Sequence, residues 1–198
     1  AERRQHILDT ARRLFIENGF HGTGVAQIAA VSGIKVGQIY RDFASKEDII
    51  AEIADRDLSE FLDEAGLARA IKAGDRAAIR DWILTFVTYE EDIEGYRLMP
   101  EIMAESARSA RIARLQERIS GRVREALRTA LVAFAPGDDH EATRSELADL
   151  ILTLGGGLCQ SIVMEALQGR DYRPLCARLQ SIVSRELDLL GGGEGYSS

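Results

Sequence analysis

Residues 23–46 read TGVAQIAAVSGIKVGQIYRDFASK, and the reading of the whole chain turns on this stretch. Val25, Ile28 and Ala29 fall at helical spacing, Ser32-Gly33 interrupts them, and Val36, Ile39, Tyr40 and Phe43 resume the period. Two short helices joined by a tight turn have the proportions of a helix-turn-helix. Gly33 suits the turn because glycine enters the left-handed conformation without steric cost. Ile28, Ala29, Ile34 and Ile39 are expected to hold the two helices at a fixed angle, with Ala29 small enough for a close crossing. The second helix then exposes Lys35, Val36, Gly37, Gln38 and Arg41, a small, polar and cationic surface of the kind that enters a DNA major groove.

Outward from this stretch, nearly everything reads as helix. Upstream, Ile7, Leu8, Ala11, Leu14 and Phe15 form one apolar face that stops at Asn18-Gly19, and Thr23 is placed to cap the next helix. Downstream, Ser45-Lys46-Glu47-Asp48 has the form of a capping box opening a long helix that carries Ile49, Ile50, Ile53, Leu58, Phe61 and Leu62. Further periodic runs follow Gly74-Asp75, Pro100 (expected in a first turn), Leu115, Asp138 or Asp139, and Pro174. The fold class is all-α, with about nine helices and no strand signal. Of 198 residues, 45% are hydrophobic and 29% charged, enough for a core without staples. Cys159 and Cys176 lack metal-knuckle spacing, and His6, His21 and His140 are scattered. No metal site, cofactor or catalytic constellation is expected, and an enzyme is disfavoured. The apolar run 150–158 is cut by Gly155-Gly156-Gly157 and is too short to span a membrane. No leader opens the chain, so a cytoplasmic protein is expected.

The net charge of −7 hides an asymmetry. Residues 1–50 carry seven Lys or Arg against six acids, and the other 148 residues carry eighteen against twenty-six. A near-neutral head on an acidic body fits a two-part protein.

Phe15, Gly19-Phe20, Thr23, Ile28-Ala29, Gly33-Ile34, Ile39-Tyr40, Phe43 and Ser45-Lys46 together resemble the DNA-binding domain of TetR-type transcriptional regulators. The resemblance implies an N-terminal helix-turn-helix domain over 1–48 and a helical ligand-binding and dimerisation domain over 49–190, and the Gly-rich 191–198 reads as a flexible tail. It implies that Thr23 presents a hydroxyl to a phosphate, that Tyr40 touches the DNA backbone, and that Lys46 meets a phosphate at a helix N-terminus. Gln38 replaces a small hydroxyl residue of the family and is a candidate base reader, and Gln27 joins the DNA-facing set. Asp42 stands where His or Tyr is usual; pairing with Arg41 or Lys46 would keep it from repelling a phosphate. The implied partners are a palindromic double-stranded operator, a second copy of the chain, and a small-molecule effector of unspecified chemistry. Activation, or regulation without an effector, is the alternative to repression.

In the body, Trp82, Phe86, Tyr89, Met99 and Met103, with Ile119 and Cys159, are candidates for lining a ligand cavity or simply for the core. The resemblance places the dimer face on the last two long helices, with Ile151, Leu154, Leu158, Ile162, Leu175, Leu179 and Ile182 as candidates. The three consecutive glycines cost a helix about 1 kcal/mol each against alanine, which points to a close helix approach or to space for a ligand.

Overall fold

The computed structural model describes residues 2–88, 94–165 and 169–192, with the backbone alone at Glu94, Gly95 and Glu165. Helix is its regular secondary structure among these residues, with no strand, and the chain divides into two compact units. The first unit holds residues 1–61 and 92–119, and the second holds 62–91 and 120–198.

The first unit is built from α1 (Glu2–Gly22), α2 (Val25–Ser32), α3 (Val36–Asp42), α4 (Lys46–Leu62), α7 (Glu94–Ser106) and the start of α8 (Ala110–Phe134). Ile7, Phe15, Ile28, Ile39, Ile49, Ile50, Ile53, Ile102, Ile112 and Leu115 are among its fully buried large side chains. Their removal from water is the main favourable contribution, at about 1.5–3 kcal/mol for each. α1 breaks where the sequence places its stop, at Gly19 (φ 75°, ψ 160°). Half of the expected capping box at α4 is present: the Asp48 amide donates to Ser45 Oγ at 3.2 Å, while the Asp48 carboxylate accepts at 3.1 Å from the Ser45 hydroxyl and not from its amide.

Two local expectations are corrected. Gly24, not Thr23, is the N-cap of α2. Thr23 is fully buried, and its hydroxyl hydrogen is shared between the Leu14 and Gly19 carbonyls at 3.0 and 2.9 Å, so it braces the end of α1. Pro100 lies inside α7 and not in its first turn; the helix begins at Glu94 and accepts a residue that supplies no N–H to its ladder.

The second unit contains α5 (Glu64–Ala73), α6 (Arg76–Leu84), a 3-10 turn at Thr85–Val87, the rest of α8, α9 (Glu141–Glu165) and α10 (Arg173–Leu190). α5 is a separate helix because Asp63 takes a left-handed conformation (φ 36°) and caps it by accepting from the Gly66 amide at 3.0 Å. α8 ends at Phe134, before Pro136-Gly137, as the sequence indicates. The chain just past its end is held by Arg144, a buried arginine that donates to the Ala135 and Gly137 carbonyls at 2.7 Å each and pairs with Glu141 at 3.2 Å. α9 crosses the 3-10 turn so closely that a Cβ on Gly155 would lie 2.7 Å from the Phe86 carbonyl oxygen, whereas Gly156 and Gly157 face open space. α9 is also more apolar than its longest unbroken apolar run suggests. By length and composition Asp138–Met164 could cross a membrane: an 18-residue stretch within it has a mean hydropathy of 1.6, and 28% of that stretch is buried within the chain.

Candidate nucleic-acid interface

α2 and α3 meet across Gly33, which adopts the left-handed conformation (φ 71°, ψ 6°) that the turn requires. Ile28, Ala29 and Ile39 are buried between them and the rest of the unit, and Ile34 is half-buried. Burying these side chains leaves the other side of α3 outside. Lys35, Gly37 and Arg41 are exposed, Val36 is 40% exposed and Tyr40 is 54% exposed. Gln27 and Gln38 are half-buried. The Gln38 side-chain oxygen accepts from the Lys35 amide at 3.3 Å, which gives α3 half of a capping box and orients the amide group at the helix start. Arg41 Nε donates to the Gly37 carbonyl one turn back, at 3.3 Å.

Several other charges of the unit are engaged with one another. Asp42 pairs with Arg3 in a two-pronged contact, both bonds 2.9 Å, and not with Arg41 or Lys46 as the sequence suggested. The Arg3 guanidinium holds the Asp42 carboxyl below the usual carboxylate range. Arg4 grips Glu52 with both nitrogens, donates to the Asp42 carbonyl at 2.7 Å, and lies 4.2 Å over the Phe43 ring. Arg3 and Arg4 therefore tie α1 to the end of α3 and to α4. Lys46 donates to the Phe20 carbonyl at 2.7 Å and sits 4.3 Å over its ring, so its ammonium is held at the first turn of α4. Thr23 is withdrawn from the surface altogether, which removes its side chain from the DNA-facing set. No local signal marks the Arg3–Asp42 or Arg4–Glu52 pairs, whose members lie 39 and 48 positions apart.

The expected ligand-pocket residues divide between the units. Trp82, Phe86 and Cys159 belong to the second, Met99, Met103 and Ile119 to the first, and Tyr89 lies outside the described residues. Trp82 donates to the Leu62 carbonyl at 2.5 Å and meets Phe86 edge-on, with centroids 5.1 Å apart. Burial pushes the Cys159 thiol up to about 11. Ile119 is core, while Met103 is exposed. A groove in the first unit is lined by Asp9, Arg12, Arg13, Ile16, Glu17 and Arg97, none of them an expected pocket residue.

Of the expected dimer-face residues, Ile151, Leu158 and Ile162 are buried within their own chain and cannot supply contact area to a partner. Leu154, Leu179 and Ile182 are half-buried, and Leu175 is 44% exposed. Leu150, Met164 and Leu189 are the exposed apolar side chains of α9 and α10 that the sequence reading passed over. Most of the 191–198 tail lies outside the described residues. Among the described residues, no group of three His, Cys, Asp or Glu is placed to hold a metal ion.

A family model described as bacterial regulatory proteins of the tetR family matches residues 7–53. A second, described as the C-terminal part of BetI-type transcriptional repressors, matches residues 75–190. The transcriptional activator FasR of Mycolicibacterium smegmatis is 28% identical over 101 residues, which is 50% of this chain and 46% of FasR. The chain spans about half the length of the curated relatives it matches. Salmonella enterica GusR superposes with a TM-score of 0.69 at 23% identity, covering 94% of this chain and 96% of that one. A transcriptional regulator from Saccharomonospora viridis, solved in complex with choline, superposes with a TM-score of 0.63 at 21% identity, again covering 94% and 96%. Because the C-terminal match alone spans more than half of the 198 residues, the chain belongs to the TetR family of bacterial transcriptional regulators, with a C-terminal part of the BetI type.

Proposed function

We propose that the chain is a cytoplasmic, non-enzymatic regulator that binds a palindromic operator as a homodimer and is released from it by a small-molecule effector. The observation that carries the DNA-binding part is the outer face of α3. Gly37 stands in a helix with nothing within 4 Å of the place its Cβ would occupy, and its φ is not in the left-handed region. Nothing inside the chain calls for glycine there, at a cost to helix stability of about 1 kcal/mol. Close approach of a nucleic-acid backbone or base edge does call for it. Lys35, Tyr40 and Arg41 flank that gap and are exposed, whereas Arg3, Arg4, Arg12, Arg56 and Arg111 of the same unit are ion-paired. Lys35 and Arg41 supply phosphate attraction, Gln38 reads a base once it leaves the Lys35 amide, and Tyr40 and Lys46 position the backbone. The test is retardation of random duplex DNA at low salt, with affinity falling steeply as salt rises. No retardation at low salt overturns the reading.

Self-association is supported by α9 and α10. An apolar helix, α9, left mostly uncovered by its own chain, with its Met164 at 66% exposure and Leu189 of α10 at 69%, is a surface that water disfavours. A second copy offers the same surface, and a two-fold pairing lets each cover the other. Two reading helices about 34–36 Å apart then enter successive major grooves. Residues 1–48 read DNA, and 49–190 dimerise and bind the effector; family matches over 7–53 and 75–190 support a two-part division of this kind. The choline complex of the S. viridis protein supports a small-molecule site in this fold, and Trp82, Phe86 and Cys159 are the candidates in the second unit. Repression is the favoured mode because the C-terminal match is to a repressor type. Activation is the second reading, favoured by the match to FasR. A reporter placed behind the operator separates them by the sign of its response.

A further inference from the structure

The reading helices hang from the corner between α1 and α2, and that corner is gripped from a distant part of the chain. Past the break at Gly19 the helical ladder is interrupted, and the Phe20 amide donates instead to Glu101 Oε2 at 3.0 Å, from α7, 81 positions away. The approach is tight: a Cβ on Gly19 would lie 3.3 Å from the same carboxylate oxygen. On the other side of the corner the Phe20 carbonyl takes the Lys46 ammonium at 2.7 Å, and the Gly19 carbonyl takes the Thr23 hydroxyl at 2.9 Å. A second charged contact from the same distant stretch, between Arg111 of α8 and Asp48, reaches the first turn of α4. The main chain at Gly19 and Phe20 is thus held between an acid from α7 and a base from α4. Hydrogen bonds to charged groups are the strong ones. Losing the acid leaves the Phe20 amide without that acceptor and frees the corner to turn.

We infer that Glu101 is a positioning residue for DNA binding: by capping the Phe20 amide it fixes the α1–α2 corner, and with it the angle at which α2 and α3 are presented. This rests on the DNA-binding reading above. It does not require Glu101 to touch DNA.

The experiment compares the full chain with Glu101→Ala, Glu101→Gln and Glu105→Ala on a fluorescent random duplex at low salt, each beside its melting curve. Glu105 lies one turn along α7, is buried, and pairs with Arg108. Its loss disturbs the same helix without reaching Phe20. Glu101→Ala is expected to weaken DNA binding about tenfold, within the range usual for coupled sites. Glu101→Gln keeps an oxygen that accepts from Phe20 and is expected to stay within about threefold of the unaltered chain. Glu105→Ala is expected to lower the melting temperature while leaving DNA affinity within about threefold. The inference is overturned if Glu101→Ala binds as the unaltered chain does, or if Glu105→Ala weakens binding as much at an equal loss of melting temperature. Should Glu101→Ala fail to fold, Glu101→Asp, shorter by one methylene, takes its place, and unchanged affinity in that variant overturns the inference equally. An unaltered chain that binds no duplex sinks the DNA-binding reading itself, a distinct failure.

Discussion

Replacing the three glycines of α9 one at a time separates contacts within the chain from those between copies. Every Gly→Ala change in a helix interior gains about 1 kcal/mol of helix propensity. At Gly156 and Gly157 nothing lies within 4 Å of the added Cβ, so that gain stands alone within the chain. At Gly155 the Cβ would sit 2.7 Å from the Phe86 carbonyl oxygen, well inside the 3.4 Å at which ordinary contact begins. Either α9 or the 85–87 turn must move, and overpacking of this kind costs about 1–3 kcal/mol. Gly155→Ala is therefore expected to be less stable than Gly156→Ala by about 1–3 kcal/mol. Urea denaturation measures this, run at two protein concentrations because dimer stability depends on concentration and intrachain packing does not. An interface clash at Gly156 or Gly157 appears as a loss that deepens on dilution, while the Gly155 loss stays constant. Equal or greater stability for Gly155→Ala at both concentrations refutes the close approach of α9 to the turn.

Four further outcomes are expected. Lys35→Ala and Arg41→Ala should each reduce the steepness of the salt dependence of DNA binding by about one counterion, whereas Gln38→Ala should alter sequence preference at nearly unchanged slope; binding-site selection from random duplexes checks the second. Met164→Glu combined with Leu189→Glu should yield monomers in sedimentation without unfolding the chain, since both side chains are exposed, while Ile151→Glu should unfold it. Arg144→Met should lower stability by about 1–3 kcal/mol, because the buried Ala135 carbonyl loses its donor, and thermal melting reads this. Arg3 lowers the pKa of Asp42 in the folded chain, so this pair stabilises the fold fully above the ordinary carboxylate pKa and the contribution fades as pH falls through the lowered value. Asp42→Asn should therefore melt lower than the unaltered chain at pH 6, and the gap should narrow as the pH drops below about 4.

The helix-turn-helix was legible because its determinants are local. Gly33 at the turn, the apolar spacing of Ile28, Ala29 and Ile39, and the cap at Ser45 and Asp48 are all encoded within a few residues of where they act. Thr23 was misread because what occupies its hydroxyl is the Leu14 carbonyl, nine positions upstream, which becomes available only when α1 breaks at Gly19. The ion pairs of Arg3, Arg4 and Asp42 escaped for the same reason, since a charge run says nothing about which distant charge it will meet. The dimer face was hardest. α9 has almost no polar side, so its period cannot say which apolar residues its own chain covers, and Ile151 and Leu150 look alike until α10 and the 85–87 turn are in place.

The first unit is assembled from two stretches of chain, with thirty residues of the other unit threaded between them. Anyone grafting this reading head onto a foreign sensor will therefore find no single safe cut. Scissors placed after residue 48 or 61 discard Glu101 and Arg111, and with them the props under the corner and under α4. A transplant that is to keep its specificity has to carry 92–119 as a second piece, or recruit from its new host an acid and a base at the same two places.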